Sequence, residues 1–399
     1  MNKLGKFMSE VAARVPVLRA RLADAGLRPE EIASFADLAR LPVMRKTDLT
    51  TIQQQSPPFG GLLGVPLGEL ERIYVSPGPI YDPQGKGEDY WRWREALVAA
   101  GFGPGDIVVN TFSYHLTPAA MMFDSALRSL GAVVLPAGVG NAELLVRAMR
   151  DIGVTGFVGV PSFLYTLVKK AEELGYDGAV DLKLRKAFIT AEKLPEELRQ
   201  TLDERYGVKV YQGYGTAEAG CVAFECPCRT GMHLARDVHV EICAPDTGTP
   251  LPYGTPGEVV VTVLNPVYPL VRFGTGDLGV MTGAPCPCGH TGPRLVGIYG
   301  RTAEGVKVRG LFIYPGQVRE LAARLAGVGR SQAVVTRDEN FKDVLTLRIE
   351  PASGCQVPDA AAIARQAKEY LRLTVGVEMV PPGTIKEGEP TILDRRKWD

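Results

Sequence analysis

The chain has 399 residues, 45% of them hydrophobic and 23% charged, a composition with ample apolar material for a large core. Lysine plus arginine and aspartate plus glutamate both number 45, so the formal net charge is zero, which excludes an overall basic field for gripping nucleic acid. No stretch approaches the roughly 18 uncharged apolar residues of a membrane span, and the N-terminal residues carry no apolar run of a secretory leader, so the sequence reads as cytoplasmic.

In chain order, the first 27 residues read as one amphipathic helix with Val11, Val15, Leu18 and Leu22 near one face. From Asp106 short apolar runs alternate with helical spacing. The runs Ile107–Phe112, Ala132–Ala137, Gly156–Pro161, Lys186–Ala191 and Val208–Gly215 predict strands. Between them, Ala119 to Leu130, Leu144 to Met149 and Leu164 to Ala171 predict helices. Buried strands separated by amphipathic helices predict an α/β fold, a parallel sheet flanked by helices, with ligands at the carboxyl ends of the strands. After Glu225 the segments VHVEIC, GEVVVTV and RFGTGDLGVM predict antiparallel β-structure with Gly/Pro turns. From Gly300 the order strand, helix, two strands, helix, strand predicts a small α+β (βαββαβ) domain. The expected domains are therefore 1–299 and 300–399.

Most of the seven cysteines fall between Cys221 and Cys288. Cys226 and His233 form a C-x6-H pair, and Cys286 and Cys288 a C-x-C pair on a Gly/Pro-rich turn. Three thiolates and an imidazole are the soft ligands of a closed tetrahedral zinc site, structural rather than catalytic because no position is left open. Cys228 and His290 are alternative ligands on the same spacing argument. Tyr214–Glu218 (YGTAE) follows a predicted strand and offers an aromatic face, a hydroxyl and a carboxylate. Arg272–Asp277 (RFGTGD) and Gly300–Gly310 (GRTAEGVKVRG) add an aspartate after two glycines and two arginines. Each motif is weak alone.

Their order along the chain resembles the adenylate-forming superfamily, specifically the phenylacetate–CoA ligase family, and the resemblance covers essentially the whole chain. It implies an acyl- or aryl-CoA ligase that activates a carboxylic acid, aromatic in the family's type, with ATP and magnesium to an acyl-adenylate and transfers it to coenzyme A. It also implies a C-terminal domain that rotates between the two half-reactions. By the same resemblance Tyr214 and Gly215 meet adenine, Thr216 the phosphate, Glu218 magnesium, Asp277 the ribose hydroxyls and Arg301 the ribose–phosphate edge. Tyr114 and His115 line the acyl pocket. The implied partners are small molecules (acid, nucleotide and CoA), with no nucleic acid and no membrane, and a homodimer is compatible with the sequence.

Three positions depart from the family pattern. Where a phosphate loop ends in Lys-Pro, this chain reads SPGPIYDP, with Asp82 at the lysine's place and prolines that donate no backbone N–H. The C-terminal turn KEGEP puts Glu389 at the place of the catalytic lysine, leaving Lys386 as the nearest candidate, and Ala303 replaces a hinge aspartate. An alternative reading follows: a family fold that binds nucleotide, CoA or an acyl ligand but has lost ATP-dependent adenylation.

Overall fold

Short β-branched and apolar runs build the parallel half of a mixed sheet in the computed structural model of the chain, which describes residues 3–255, 257–302, 306–309, 311–313, 315–352, 359–371 and 373–396. Five parallel strands lie in the spatial order Val133–Pro136, Ile107–Asn110, Gly156–Gly159, Lys186–Ile189, Lys209–Thr216. The first strand of the set is thus flanked by the second and third, and the connections diverge at its carboxyl end. That divergence opens a crevice where ligands bind in such sheets. The helices Ala119–Ser129, Ala142–Ile152 and Pro161–Glu173 fall between these strands in sequence, and each turns a row of buried apolar side chains inward.

At Thr216 the chain reverses, and the sheet continues antiparallel through Gly220–Glu225, Met232–Leu234, Arg294–Arg301, Phe273–Thr282, Gly257–Val263 and Val238–Cys243. The two-residue strand Met44–Arg45 pairs in parallel with Phe273 and Gly274 and launches the helix Lys46–Gln55 from that edge. A separate antiparallel hairpin joins Leu70–Ser76 to Ile80–Gly85, so the proline-rich segment Ser76–Pro83 is a tight turn and a paired strand rather than an open loop.

The N-terminal segment differs from the single helix expected. It forms Lys3–Arg14 and Pro16–Asp24, with Val15 extended (φ −108°, ψ 98°) between them. Proline at the first position of the second helix is compatible with a start but not with continuation, since it brings no N–H. The four apolar residues named above are nonetheless all buried, at most 2% exposed.

The chain divides into two compact units, Met1–Thr302 and Ala303–Asp399. The expected boundary after 299 moves because Arg294–Arg301 continues as a strand, pairing Gly300 with Leu278 and Arg301 with Asp277. In the second unit VKVRGLFI is not one strand but a hairpin, Val306–Val308 with Leu311–Ile313, in which Arg309 has φ 48°. The remaining sheet has the order Gly376–Met379, Asp343–Pro351, Val328–Arg337, Ile392–Asp394, packed with the helices Pro315–Arg324 and Ala360–Leu371. The edge strand Ile392–Asp394 was not expected, because three residues carry no readable alternation. Ala303, the expected hinge position, lies outside the described residues. Among the described residues no helix is long and apolar enough to cross a membrane.

Candidate active site and metal centre

The hairpin of Lys209–Thr216 and Gly220–Glu225 carries a polar cluster at each end. Its base is held by a buried ion pair: Arg199 on the helix Glu196–Arg205 grips Glu225 with two hydrogen bonds of 3.0 and 2.8 Å, and Glu225 also accepts from Gln212 N and Nε2. Such a bidentate pair is geometrically specific. Glycines let the strand approach its neighbours: a Cβ on Gly215 would sit 2.3 Å from the Gly220 carbonyl oxygen and 2.7 Å from the Trp93 ring.

At the turn, Thr216 Oγ1 accepts from Ala219 N at 3.0 Å and Glu218 is buried. Tyr214 is buried as well. Its hydroxyl donates to Asp277 Oδ2 at 2.8 Å and lies 3.0 Å from Thr275 Oγ1. Asp277 Oδ1 meets Arg301 Nε at 3.1 Å, an ion pair that follows directly from the cross-strand register of the two residues. Tyr214, Asp277 and Arg301 therefore form one network, brought together from three strands. Burial and the neighbouring Asp277 charge hold the Tyr214 phenol well above its ordinary pKa, so it remains a donor.

Lys46 is a residue of this site that the sequence reading passed over. Its Nζ lies 2.5 Å from Glu218 Oε1. A lysine at the first position of a helix opposes the helix dipole, and that local misfit was the available signal. Burial works against the Glu218 charge, but Lys46 outweighs it and keeps the carboxyl below its ordinary pKa. Asp82 completes the cluster. It is fully buried, neither carboxylate oxygen has a hydrogen-bond partner, and burial together with the Glu218 charge pushes its pKa well up.

Arg272, in the RFGTGD motif, points the other way. Only 2% exposed, it bonds Glu241 at 3.0 Å, the Leu41 carbonyl at 2.6 Å and the Gly248 carbonyl at 2.7 Å. It clasps the N-terminal region to the sheet and is no ligand contact. Tyr114 and His115 follow the Ile107–Asn110 strand at the crevice described above. The Tyr114 hydroxyl is engaged with Asp124 Oδ1 at 3.2 Å and accepts from Asn110 Nδ2 at 3.0 Å, while its ring is half-buried; His115 is exposed. Lys386 is exposed on a turn of the second unit, and Glu389 in the same turn accepts from the buried Gln332 Nε2 at 3.0 Å. That hydrogen bond gives Glu389 a structural role.

At the other end of the hairpin, ligand atoms of Cys226, His233, Cys286 and Cys288 lie within 4.8 Å of one another. Cys226 Sγ and Cys286 Sγ are 3.7 Å apart, and Cys288 Sγ is 3.4 Å from His233 Nε2. A tetrahedral zinc with Zn–S near 2.3 Å and Zn–N near 2.0 Å requires edges of about 3.8 and 3.5 Å, so the donor set fits. Arg294 spans the two ligand-bearing loops, meeting Thr230 Oγ1 at 2.7 Å and the Ala284 carbonyl at 3.2 Å. Cys228 is outside the converging set, and His290 packs edge-on against the His233 ring at 4.5 Å.

The family described as AMP-binding enzyme matches residues 89–264. The phenylacetate–coenzyme A ligase of Thermus thermophilus is 31% identical, over 99% of this chain and 96% of its own length. That of Pseudomonas putida is 29% identical over 94% of this chain and 88% of its own. Among solved structures, a 2-hydroxyisobutyryl-CoA ligase in complex with 2-HIB-AMP and CoA superposes with a TM-score of 0.87 at 26% identity, covering 99% of this chain and 88% of that one.

Proposed function

Because the chain belongs to the phenylacetate–CoA ligase family of adenylate-forming enzymes, we propose that it activates a carboxylic acid with ATP and passes the acyl group to coenzyme A. In the first step a carboxylate oxygen attacks the α-phosphorus and pyrophosphate leaves. In the second the CoA thiolate attacks the acyl carbonyl and AMP leaves.

The observation that carries this reading is the Tyr214–Asp277–Arg301 network beside the Lys46–Glu218 pair. The Asp277 carboxylate can exchange its protein donors for ribose hydroxyls, with the Tyr214 ring set against the base and Arg301 against the ribose–phosphate edge. Glu218 is the ligand for magnesium, which would supply charge neutralisation on the phosphates. Thr216 stands on the same turn for the phosphate. Lys386, free of the structural tie that occupies Glu389, is the lysine we assign to the adenylation transition state, where a fixed cation acts on developing charge.

The acid we propose is aromatic. Supporting this, the crevice strand leads into Phe112 and Tyr114, and Phe112 stacks on Phe123 at 5.3 Å with Trp93 behind it at 4.6 Å. Cys226, His233, Cys286 and Cys288 are assigned to one structural zinc, with His233 coordinating through Nε2.

The test is pyrophosphate release with ATP across aromatic and aliphatic acids, 2-hydroxyisobutyrate included, with and without CoA. Release that requires an aromatic acid is expected, and Lys386→Ala should depress it while leaving AMP binding intact. The second reading, nucleotide binding without adenylation, is favoured by one observation, the buried acid Asp82 where a phosphate-binding cation would stand. AMP binding with no acid-dependent release from any compound would establish it.

A further inference from the structure

We propose that Asp82, Glu218 and Ser76 form a divalent-cation site, in which Asp82 is a second carboxylate ligand. The inference rests on the acid-activating reading of the same site and adds to it a residue and a stoichiometry of ligands.

The hairpin register brings the groups together. Tyr74 pairs with Asp82 and Ser76 with Ile80, so Ser76 and Asp82 project from one face as diagonal neighbours. Ser76 is 3% exposed and Asp82 0%; neither side chain makes a well-formed hydrogen bond, and the Ser76 hydroxyl lies close enough to Asp82 to lower its pKa. The helix that begins with Lys46 is stapled to this strand, because Gln53 donates to the Tyr81 carbonyl and accepts from Tyr81 N, each at 2.8 Å. Lys46 in turn holds Glu218 at 2.5 Å. Asp82 is near enough to Glu218 and Lys46 to feel both charges.

Burial and the Glu218 charge favour the protonated form of Asp82 beside the Lys46–Glu218 pair, and its buried oxygens without well-formed partners are costly. Hard oxygen donors from two carboxylates and a hydroxyl suit magnesium or manganese rather than a soft metal. A divalent ion there would displace the Asp82 proton and set two positive charges against the two carboxylates. It would also release Lys46 from Glu218 toward an incoming phosphate. The acid at position 82 thus exchanges a fixed cation for a metal ligand, and the loop's lack of amide donors matters less.

The experiment uses the full-length, zinc-loaded protein and Mn²⁺ alone, followed by the loss of the free-ion EPR signal. Wild type should bind one Mn²⁺ per chain, competed by Mg²⁺. Asp82→Asn, which preserves shape, should weaken binding by about tenfold or more, as loss of one charged oxygen ligand would. Ser76→Ala should weaken it by a smaller factor, and it serves as the deciding variant if Asp82→Asn does not fold. No Mn²⁺ bound by wild type, or unchanged affinity in the variant that folds, overturns the proposal. Acid-dependent pyrophosphate release alongside that negative result would leave the ligase reading standing. Mn²⁺ binding that depends on Asp82, with no pyrophosphate release, would do the reverse.

Discussion

Asp277 carries more of the candidate site than any other side chain, since it anchors Tyr214 on one oxygen and Arg301 on the other. Asp277→Ala is expected to weaken AMP binding by about 1.5–3 kcal/mol, the range for a lost charge-assisted hydrogen bond, measured by calorimetry. AMP affinity unchanged in that variant would remove the ribose assignment. A second residue-scale consequence concerns acid stability. His239 stacks on Phe35 with ring centroids 4.2 Å apart, and burial, reinforced by the Arg272 charge, lowers its pKa from 6.5 to about 4. The unfolded chain therefore binds a proton between those values that the folded chain refuses, so stability contributed by His239 is full above the upper value and declines as pH falls toward the lower one. His239→Phe keeps the stack and removes the titration. Its urea midpoint should fall less than that of wild type between pH 7 and pH 4.5, and equal falls would contradict the account. The converging cysteines and histidine were legible because few residue types bind soft metals, whereas Lys46 and Arg272 were not, since a basic residue in sequence looks the same whether solvated or buried.

Between elements, the cysteine–histidine quartet joins the end of the Gly220–Glu225 strand, the Met232–Leu234 strand and the loop after Thr282, and under the zinc proposal the metal would tie them. Zinc stripping by a strong chelator should therefore loosen this part of the sheet. A loss of about 3 kcal/mol would lower Tm by about 5–10 °C for a unit of this size. Re-addition of zinc should restore it, and Cys228→Ser should leave both curves unchanged. A melting curve indifferent to chelation, with metal content well below one equivalent, would end the structural-zinc assignment. Helix and strand positions in the parallel half were readable from 3.6-residue and continuous apolar patterns. The break at Val15 was not seen, because apolar spacing runs across it and only the backbone demand of Pro16 interrupts the helix. Likewise VKVRGLFI has strand composition throughout, and its reversal depends on Arg309 adopting a positive φ that composition does not display.

For the whole molecule, each unit owns a core. That of the second is built from one face of its four-stranded sheet and the inner faces of its two helices, with Leu321, Val335, Leu347 and Ile363 at most 1% exposed. A fragment of residues 303–399 is therefore expected to unfold cooperatively on its own, followed by circular dichroism in urea. A broad, non-cooperative loss of signal would mean that its core is completed only by the first unit. The rotation of this unit between half-reactions is a separate proposal, which a change in the distance between labels on the two units, read with ATP plus acid and then with CoA, would support.

Sequence by itself determined the class of fold, written in the local periodicity of its parallel half, and the family, through the resemblance carried by the order of its motifs; it also singled out the cysteine and histidine residues that converge. Tertiary structure decided which charges meet. The ion pair of Lys46 with Glu218, the hydrogen bond from Tyr214 to Asp277 and the capture of Glu389 by Gln332 join residues 172, 63 and 57 positions apart. Such pairings depend on strand register and helix placement, and a shift of one residue in any strand would turn the participating side chain to the opposite face.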